Sequence, residues 1–183
     1  VDAADLLTDL SEVGFDVTEA GVGGGPMQPV PRAVMTGPTS MATRFRMRQG
    51  RSWGVGLLPL GWAKFCAGEA ASFRDAYCDA RGTEGLRELA AIGDGLLTGP
   101  RNLDREARHL QDGLRGLLSR TVQGEDRIAK VNAALVDADV CSVADLADHT
   151  ALSPRTLERL CRKVFGFPPK LLLRRQRFLR SLA

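Results

Sequence analysis

The side chains with the clearest chemical potential are basic ones, clustered at the carboxy-terminal end of the chain. Residues 154–183 contain nine Lys and Arg and a single acid, Glu158, whereas the other 153 residues contain sixteen Lys and Arg and twenty-one acids. Clustered cations of this kind bind polyanions such as nucleic acids. A solvated basic helix with no partner is the alternative, and charge alone does not favour either interpretation.

A helix over residues 154–165 would position many of these cations. Ser153 is a good N-cap, Pro154 suits the first helical position, and Gly166 followed by two prolines ends the helix. Apolar residues recur at i, i+3, i+4 and i+7 from Leu157, which predicts one buried face. The side chains that lie off this face are Arg155, Thr156, Glu158, Arg159, Arg162 and Lys163.

Two further helices are predicted just before it. One spans residues 126–138, and the next begins after Ser142, with Asp145 three residues later as a weak form of the capping box. The turn that follows contains Ala151 where a positive φ is expected, which costs about 1 kcal/mol relative to glycine. Two short helices separated by a tight turn, the second with a basic outer face, indicate a helix-turn-helix.

Three sequence features make this interpretation more specific. They are the A-x-x-x-x-L-S-P-R-T-L-x-R run over Ala147–Arg159, the FGFP exit over Phe165–Pro168 and the R-x-x-R-F pattern over Arg174–Phe178. With these features, residues 126–183 resemble the first helix-turn-helix and the linker helix of the AraC/XylS family of transcription regulators. The resemblance implies a sequence-specific regulator whose partner is double-stranded DNA and whose helix 154–165 lies in the major groove.

The resemblance also implies roles for single residues. Arg155, Glu158 and Arg159 match the base-reading positions of the family, and their chemistry agrees, since Arg binds a guanine edge and Glu accepts from cytosine N4. The residues expected to bind phosphates are Ser153, Thr156, Arg162, Lys163, Lys170 and Arg174.

The helix that follows is expected to carry a basic ridge over an apolar face. Lys170, Arg174 and Arg177 recur at i, i+4 and i+7. Arg175 is expected to brace the fold through a carboxylate such as that of Asp145. The side chains expected to pack are Leu171, Leu172, Phe178, Leu179 and Leu182.

The chain departs from the family pattern at its ends. In the family, two such motifs are joined by the long helix, whereas this chain stops at that helix and starts at Val1. We therefore expect a fragment of a longer protein that binds DNA less tightly than the complete unit would.

The amino-terminal part is predicted to contain both helix and strand. A short helix is predicted over 2–13, and strands over 30–36, 43–49 and 52–58, with a turn at residues 49–51. The row formed by Arg44, Arg46 and Arg48 could bind an anion, but a solvated strand face is the favoured interpretation.

Helices are predicted over 69–80, 84–98 and 103–122. The last has a regular apolar face, which we expect to pack within its own domain, although a homodimer helix stays an alternative. The expected fold class is α+β, with a sensor or oligomerisation domain over 1–123 (β segment 30–66, helices 69–122) and an all-α DNA-binding domain over 124–183.

The stretch Gly54–Phe65 also resembles the amino-terminal half of some AraC-type regulators, which implies a sensor or oligomerisation role. About three strands are too few to close a barrel around a ligand. A small-molecule effector is therefore unknown, and a working effector pocket is not expected.

Catalytic and metal-binding patterns are not evident in the sequence. The four cysteines are scattered without a C-x-x-C pair, and no triad, phosphate-loop or HExxH pattern occurs. We therefore expect no enzyme activity, no metal and no cofactor. We expect a cytoplasmic protein, because no apolar run could span a membrane, and its cysteines are then expected to be free thiols. The alternatives are a zinc-dependent DNA-alkylation-repair regulator, which is disfavoured, and a truncated regulator that acts through dimerisation alone.

Overall fold

Strands lie within the first eighty residues and helices dominate the rest, which is the α+β class that the sequence predicts. The computed structural model describes the backbone of residues 7–182 and the side chains of residues 16–182. The strands are β1 (Leu7–Val22), β2 (Gln28–Pro29), β3 (Val34–Thr36), β4 (Thr43–Leu57) and β5 (Tyr77–Asp79). The helices are α1 (Pro59–Phe65), α2 (Arg87–Ile92), α3 (Leu103–Leu118), α4 (Glu125–Val136), α5 (Val143–Thr150), α6 (Pro154–Leu160) and α7 (Pro169–Arg180).

The longest strands, β1 and β4, form an antiparallel ribbon with β2 on the other edge of β1. The predicted turn at residues 49–51 is wrong, because β4 runs through it and the register instead shifts between Val13↔Ser52 and Phe15↔Gln49. Such a shift is a bulge, which bends a strand without ending it.

Three predicted helical or strand segments need correction. The helix predicted over 2–13 is a strand from Leu7 onward, and its residues 2–6 lie outside the described part. The predicted β segment 30–66 ends in α1 instead of a strand. The helix predicted over 69–80 is a 3-10 turn (Ala70–Phe73) followed by β5, which pairs with β3. In each strand, hydrogen bonding to a distant partner outweighs local periodicity.

The arginine row of β4 is balanced by partners within the chain. Arg46 forms an ion pair with Glu19, and Arg48 contacts Asp16 at 2.7 Å across the ribbon. Arg44 donates to the carbonyl oxygen of Gly25. The row therefore has the character of a solvated strand face with cross-strand pairs.

Helix α3 is fastened to β4 by a buried carboxylate. Glu106 is 1% exposed and accepts hydrogen bonds from Arg51 Nη1 and Trp53 Nε1, each at 2.9 Å. The hydrogen bond from Trp53 is the main cause that lowers the pKa of Glu106 below its ordinary value. Leu110 and Leu114 follow on the same buried side, so α3 packs within the chain, as the favoured interpretation predicts.

We expect Glu106→Gln to lower the thermal unfolding midpoint at about pH 7, because a neutral amide leaves Arg51 without its counter-charge. The folded-state pKa of Glu106 is lowered, so its charge contributes stability above the pKa of the unfolded chain and loses it as the pH falls through the folded value. The gap between the unfolding midpoints of variant and wild type should therefore narrow as the pH falls below the ordinary glutamate pKa, which calorimetry over a pH series measures.

Asp112→Asn is the matched control, because Asp112 is exposed and pairs only with Arg115 on the helix surface. It should change the midpoint little at any pH. A gap for Glu106→Gln that stays constant down to the acid end would contradict a role for its charge.

The two halves of the chain meet at a buried lysine. Lys64 of α1 contacts Glu125 Oε1 at the start of α4, and it donates to the carbonyl oxygen of Arg120, each at 2.8 Å. The predicted boundary residue Gly124 is the N-cap of α4, with φ 83°. Buried apolar side chains connect across this point into one core, from Leu60 to Leu173.

No helix in the described part of the chain is long and apolar enough to cross a membrane.

Candidate nucleic-acid interface

The first helix of the predicted motif starts as its sequence indicates. The Ser142 hydroxyl accepts from Asp145 N at 3.1 Å, and the Asp145 carboxylate accepts from Ser142 N at 2.8 Å, so the capping box is complete. These contacts with Ser142 are the main cause that lowers the pKa of Asp145. Helix α5 therefore has a fixed start on the surface of the core.

The turn and the start of the second helix are also as predicted. Ala151 ends α5 in the left-handed region, with φ 55° and ψ 37°. The Ser153 hydroxyl accepts from Thr156 N at 3.3 Å, and Pro154 occupies the first turn of α6. The predicted helix 154–165 is formed over its length, but its last turn, Cys161–Phe165, widens to π geometry before Gly166 ends it at φ 80°.

We expect Ala151→Gly to stabilise the protein by about 0.5–1 kcal/mol, because glycine adopts a positive φ without the steric cost of a Cβ. Denaturant unfolding followed by circular dichroism measures the change. Ala129→Gly, at an exposed position inside α4, is the opposite control and should destabilise by about 1 kcal/mol. Equal destabilisation by both variants would show that the turn at Ala151 is not strained.

The inner face of the motif is a packed core. Helices α4 to α7 and the π turn bury apolar residues in common, and this fixes the angle at which α6 is presented. The buried residues are Ile128, Val131, Leu135, Leu146, Leu157, Cys161, Val164, Leu172 and Leu173.

The outer face of α6 carries the three predicted base readers, but in two different states. Arg155 and Arg159 are exposed, and neither forms a hydrogen bond or ion pair within the described residues. Glu158 is half-buried and binds Arg162 Nε at 2.8 Å. The two arginines are therefore available to a ligand, whereas Glu158 would have to leave Arg162 to accept from a base.

The six predicted phosphate binders divide in the same way. Lys163, Lys170 and Arg174 are exposed and have no polar partner in the part of the chain that the structure describes. The hydroxyls of Ser153 and Thr156 lie 2.9 Å apart and bind each other. Arg162 forms the ion pair with Glu158.

Helix α7 has the expected exposed basic ridge and buries Leu172 as expected, but it departs from expectation at Arg175 and at its last turns. Arg175 does brace the fold, but it donates to the carbonyl oxygen of Thr39 at 3.4 Å and not to Asp145, which is engaged in the capping box. The expected packing of its last turns is wrong, since Phe178 is 61% and Leu182 69% exposed. The helix passes beyond the core here, so these side chains are mostly exposed to solvent.

One basic residue that sequence reasoning missed lies next to this surface. The guanidinium carbon of Arg74 lies 5.9 Å from the ring centroid of Phe167, between α6 and α7. The contact joins residues more than ninety positions apart, so no local pattern could have indicated it.

The potential metal ligands and two of the cysteines can be located in the described residues. These described residues contain no group of three or more His, Cys, Asp or Glu side chains placed to hold a metal. Burial raises the pKa of Cys66 and of Cys161 to about 12, so both thiols stay protonated at neutral pH.

The amino-terminal half contains a cavity, although no barrel encloses it. A space of about 850 Å³ lies between the ribbon and helices α2 and α3. Trp53, Leu110 and Leu114 contribute to its mostly apolar lining, and Arg48 and Arg51 to its polar part. The space lies between an open sheet and the helices that cover it. The number of predicted strands, which is too small for a closed barrel, did not indicate it.

No protein-family model, curated protein or solved structure gives a significant match to the chain. The likeness to AraC/XylS regulators therefore rests on the motif residues themselves.

Proposed function

We propose that the protein is a sequence-specific DNA-binding transcription regulator of AraC type that reads the major groove with α6. The observation that carries the proposal is the outer face of α6, where Arg155 and Arg159 are exposed and unpaired within the described residues. A helix whose other face is buried in a helix-turn-helix core presents such side chains to base edges. A regulator of this kind acts on DNA in the cytoplasm.

The surroundings of α6 support the same proposal. Lys163, Lys170 and Arg174 are exposed cations on the elements that flank or follow it. No Asp or Glu follows Glu158 in the sequence, so this end of the chain attracts the phosphate backbone. Phosphate contacts position the protein, and the two arginines of α6 add the sequence preference.

Fluorescence anisotropy with labelled duplexes, between about 50 and 200 mM salt, tests the proposal. A preferred sequence is first selected from a random pool and is then compared with a scrambled duplex. We expect affinity to fall steeply with salt, and Arg159→Ala to lose about 1–3 kcal/mol on the preferred duplex but less on the scrambled one.

Arg115→Ala is the matched control for this experiment. Arg115 is an exposed arginine of α3 whose partner is Asp112, so its removal should leave binding to both duplexes unchanged. Equal losses on the two duplexes for Arg159→Ala would show that Arg159 contacts phosphates and does not read bases.

A second candidate function is protein interaction through dimerisation. The exposure of Phe178 and Leu179 on α7 and of Leu182 just after it favours this function, as does that of Phe45 and Met47 on β4. A stable dimer by light scattering, with no salt-dependent DNA binding, would support this function over the first.

A repair-type enzyme is the least supported alternative. It would need a metal-activated thiolate, and no three His, Cys, Asp or Glu side chains of the described residues are placed to hold a metal. Zinc that copurifies with the protein in stoichiometric amount would revive this alternative.

A further inference from the structure

Part of the amino-terminal half lies directly against the end of the reading helix. A Cβ atom on Gly166 would lie 2.6 Å from Cγ of Pro38 and 3.3 Å from the carbonyl oxygen of Ala70. Pro38 and Ala70 therefore occupy the space that a side chain at position 166 would need, so the segment around Ala70 packs against the end of the π turn that follows α6.

Arg74 extends from this segment over the loop between α6 and α7. Its guanidinium carbon lies 5.9 Å from the ring centroid of Phe167, within the range of a cation–π contact, and Phe167 is itself fully buried. The Arg74 side chain is still 47% exposed. The aromatic ring therefore holds one side of the guanidinium while the rest stays open to solvent.

The charge of Arg74 is only weakly compensated. Its neighbour Asp75 approaches no closer than 3.8 Å, the distance from Arg74 Nε to Asp75 Oδ2. The Asp75 carboxylate instead accepts from the backbone N–H and the hydroxyl of Ser40, the latter at 2.8 Å. A phosphate could therefore bind Arg74 without first displacing a close ion pair.

Phe167, the residue that Arg74 contacts, lies between two of the predicted phosphate binders in the sequence. Lys163 lies four residues before Phe167 and Lys170 three residues after it, and both are exposed. The two lysines flank the loop that Arg74 contacts, and the closely spaced phosphates of a duplex can bind several cations near one such loop.

We propose that Arg74 is a further phosphate-binding residue of the DNA interface, contributed by the amino-terminal half of the chain. This inference rests on the proposed function of α6. A phosphate contact carries no sequence information but fixes the protein on the duplex. DNA affinity would then depend on how the amino-terminal half is docked against α6, and not on the helix-turn-helix alone.

The test compares Arg74→Ala and Arg74→Gln with wild type in the same salt series, on both the preferred and the scrambled duplex. Glutamine keeps much of the side-chain length over Phe167 but has no charge. We expect each variant to weaken binding on both duplexes alike and to reduce the slope of log affinity against log salt by about one. Arg74→Lys should restore most of the slope.

Arg81→Ala is the matched control, because Arg81 is also about half exposed but has Asp94 as a close partner. It should leave the slope unchanged. A wild-type slope in Arg74→Gln, with Arg159→Ala still impaired on the preferred duplex, would overturn the inference and leave the proposed function intact. Failure of the wild-type chain to show salt-dependent binding would instead overturn the proposed function.

Discussion

The relation between the two halves of the molecule depends on the buried ammonium group of Lys64. It lies 2.8 Å from Glu125 Oε1, 2.8 Å from the carbonyl oxygen of Arg120 and 3.4 Å from that of Leu118, so its three N–H donors have three acceptors. A buried charge is tolerated only when it is paired in this way. Two acceptors lie at the end of α3 and one at the start of α4, so the connection between these helices cannot shift without uncovering the charge.

A second buried ion pair, between Arg51 and Glu106, adds to the constraint from Lys64. The Arg51–Glu106 pair fastens the ribbon to the start of α3, and the Lys64–Glu125 pair fastens the end of α3 to α4. Helix α4 then carries α5 and α6 through the shared apolar core. The orientation of α6 relative to the ribbon is thus set by two buried ion pairs, and a displacement of α3 would strain both of them.

Local signals made the carboxy-terminal half predictable, and non-local pairing made the rest less so. The caps at Ser142 and Ser153 act within three residues, so their sequence patterns sufficed to place α5 and α6. The apolar spacing near Leu10 is compatible with a helix, but that segment pairs with β4 more than forty residues away. At the candidate site, the spacing of apolar residues along the helix predicted which face of α6 is exposed. The contact of Arg74 with Phe167 depends on tertiary packing, so no local pattern predicts it.

The arginines of β4 and those of α6 show why exposed positive charge alone does not define a binding site. Arg46 and Arg48 each face a carboxylate across the ribbon, so an incoming phosphate would have to compete with an existing ion pair. Arg155 and Arg159 have no such competitor among the described residues, and the acid nearest to them, Glu158, is held by Arg162. A polyanion on α6, as proposed, would therefore gain the full attraction of two unpaired cations, whereas one on β4 would gain only the difference between two ion pairs. Pairing, more than exposure, therefore distinguishes the proposed polyanion site on α6 from the arginine row of β4.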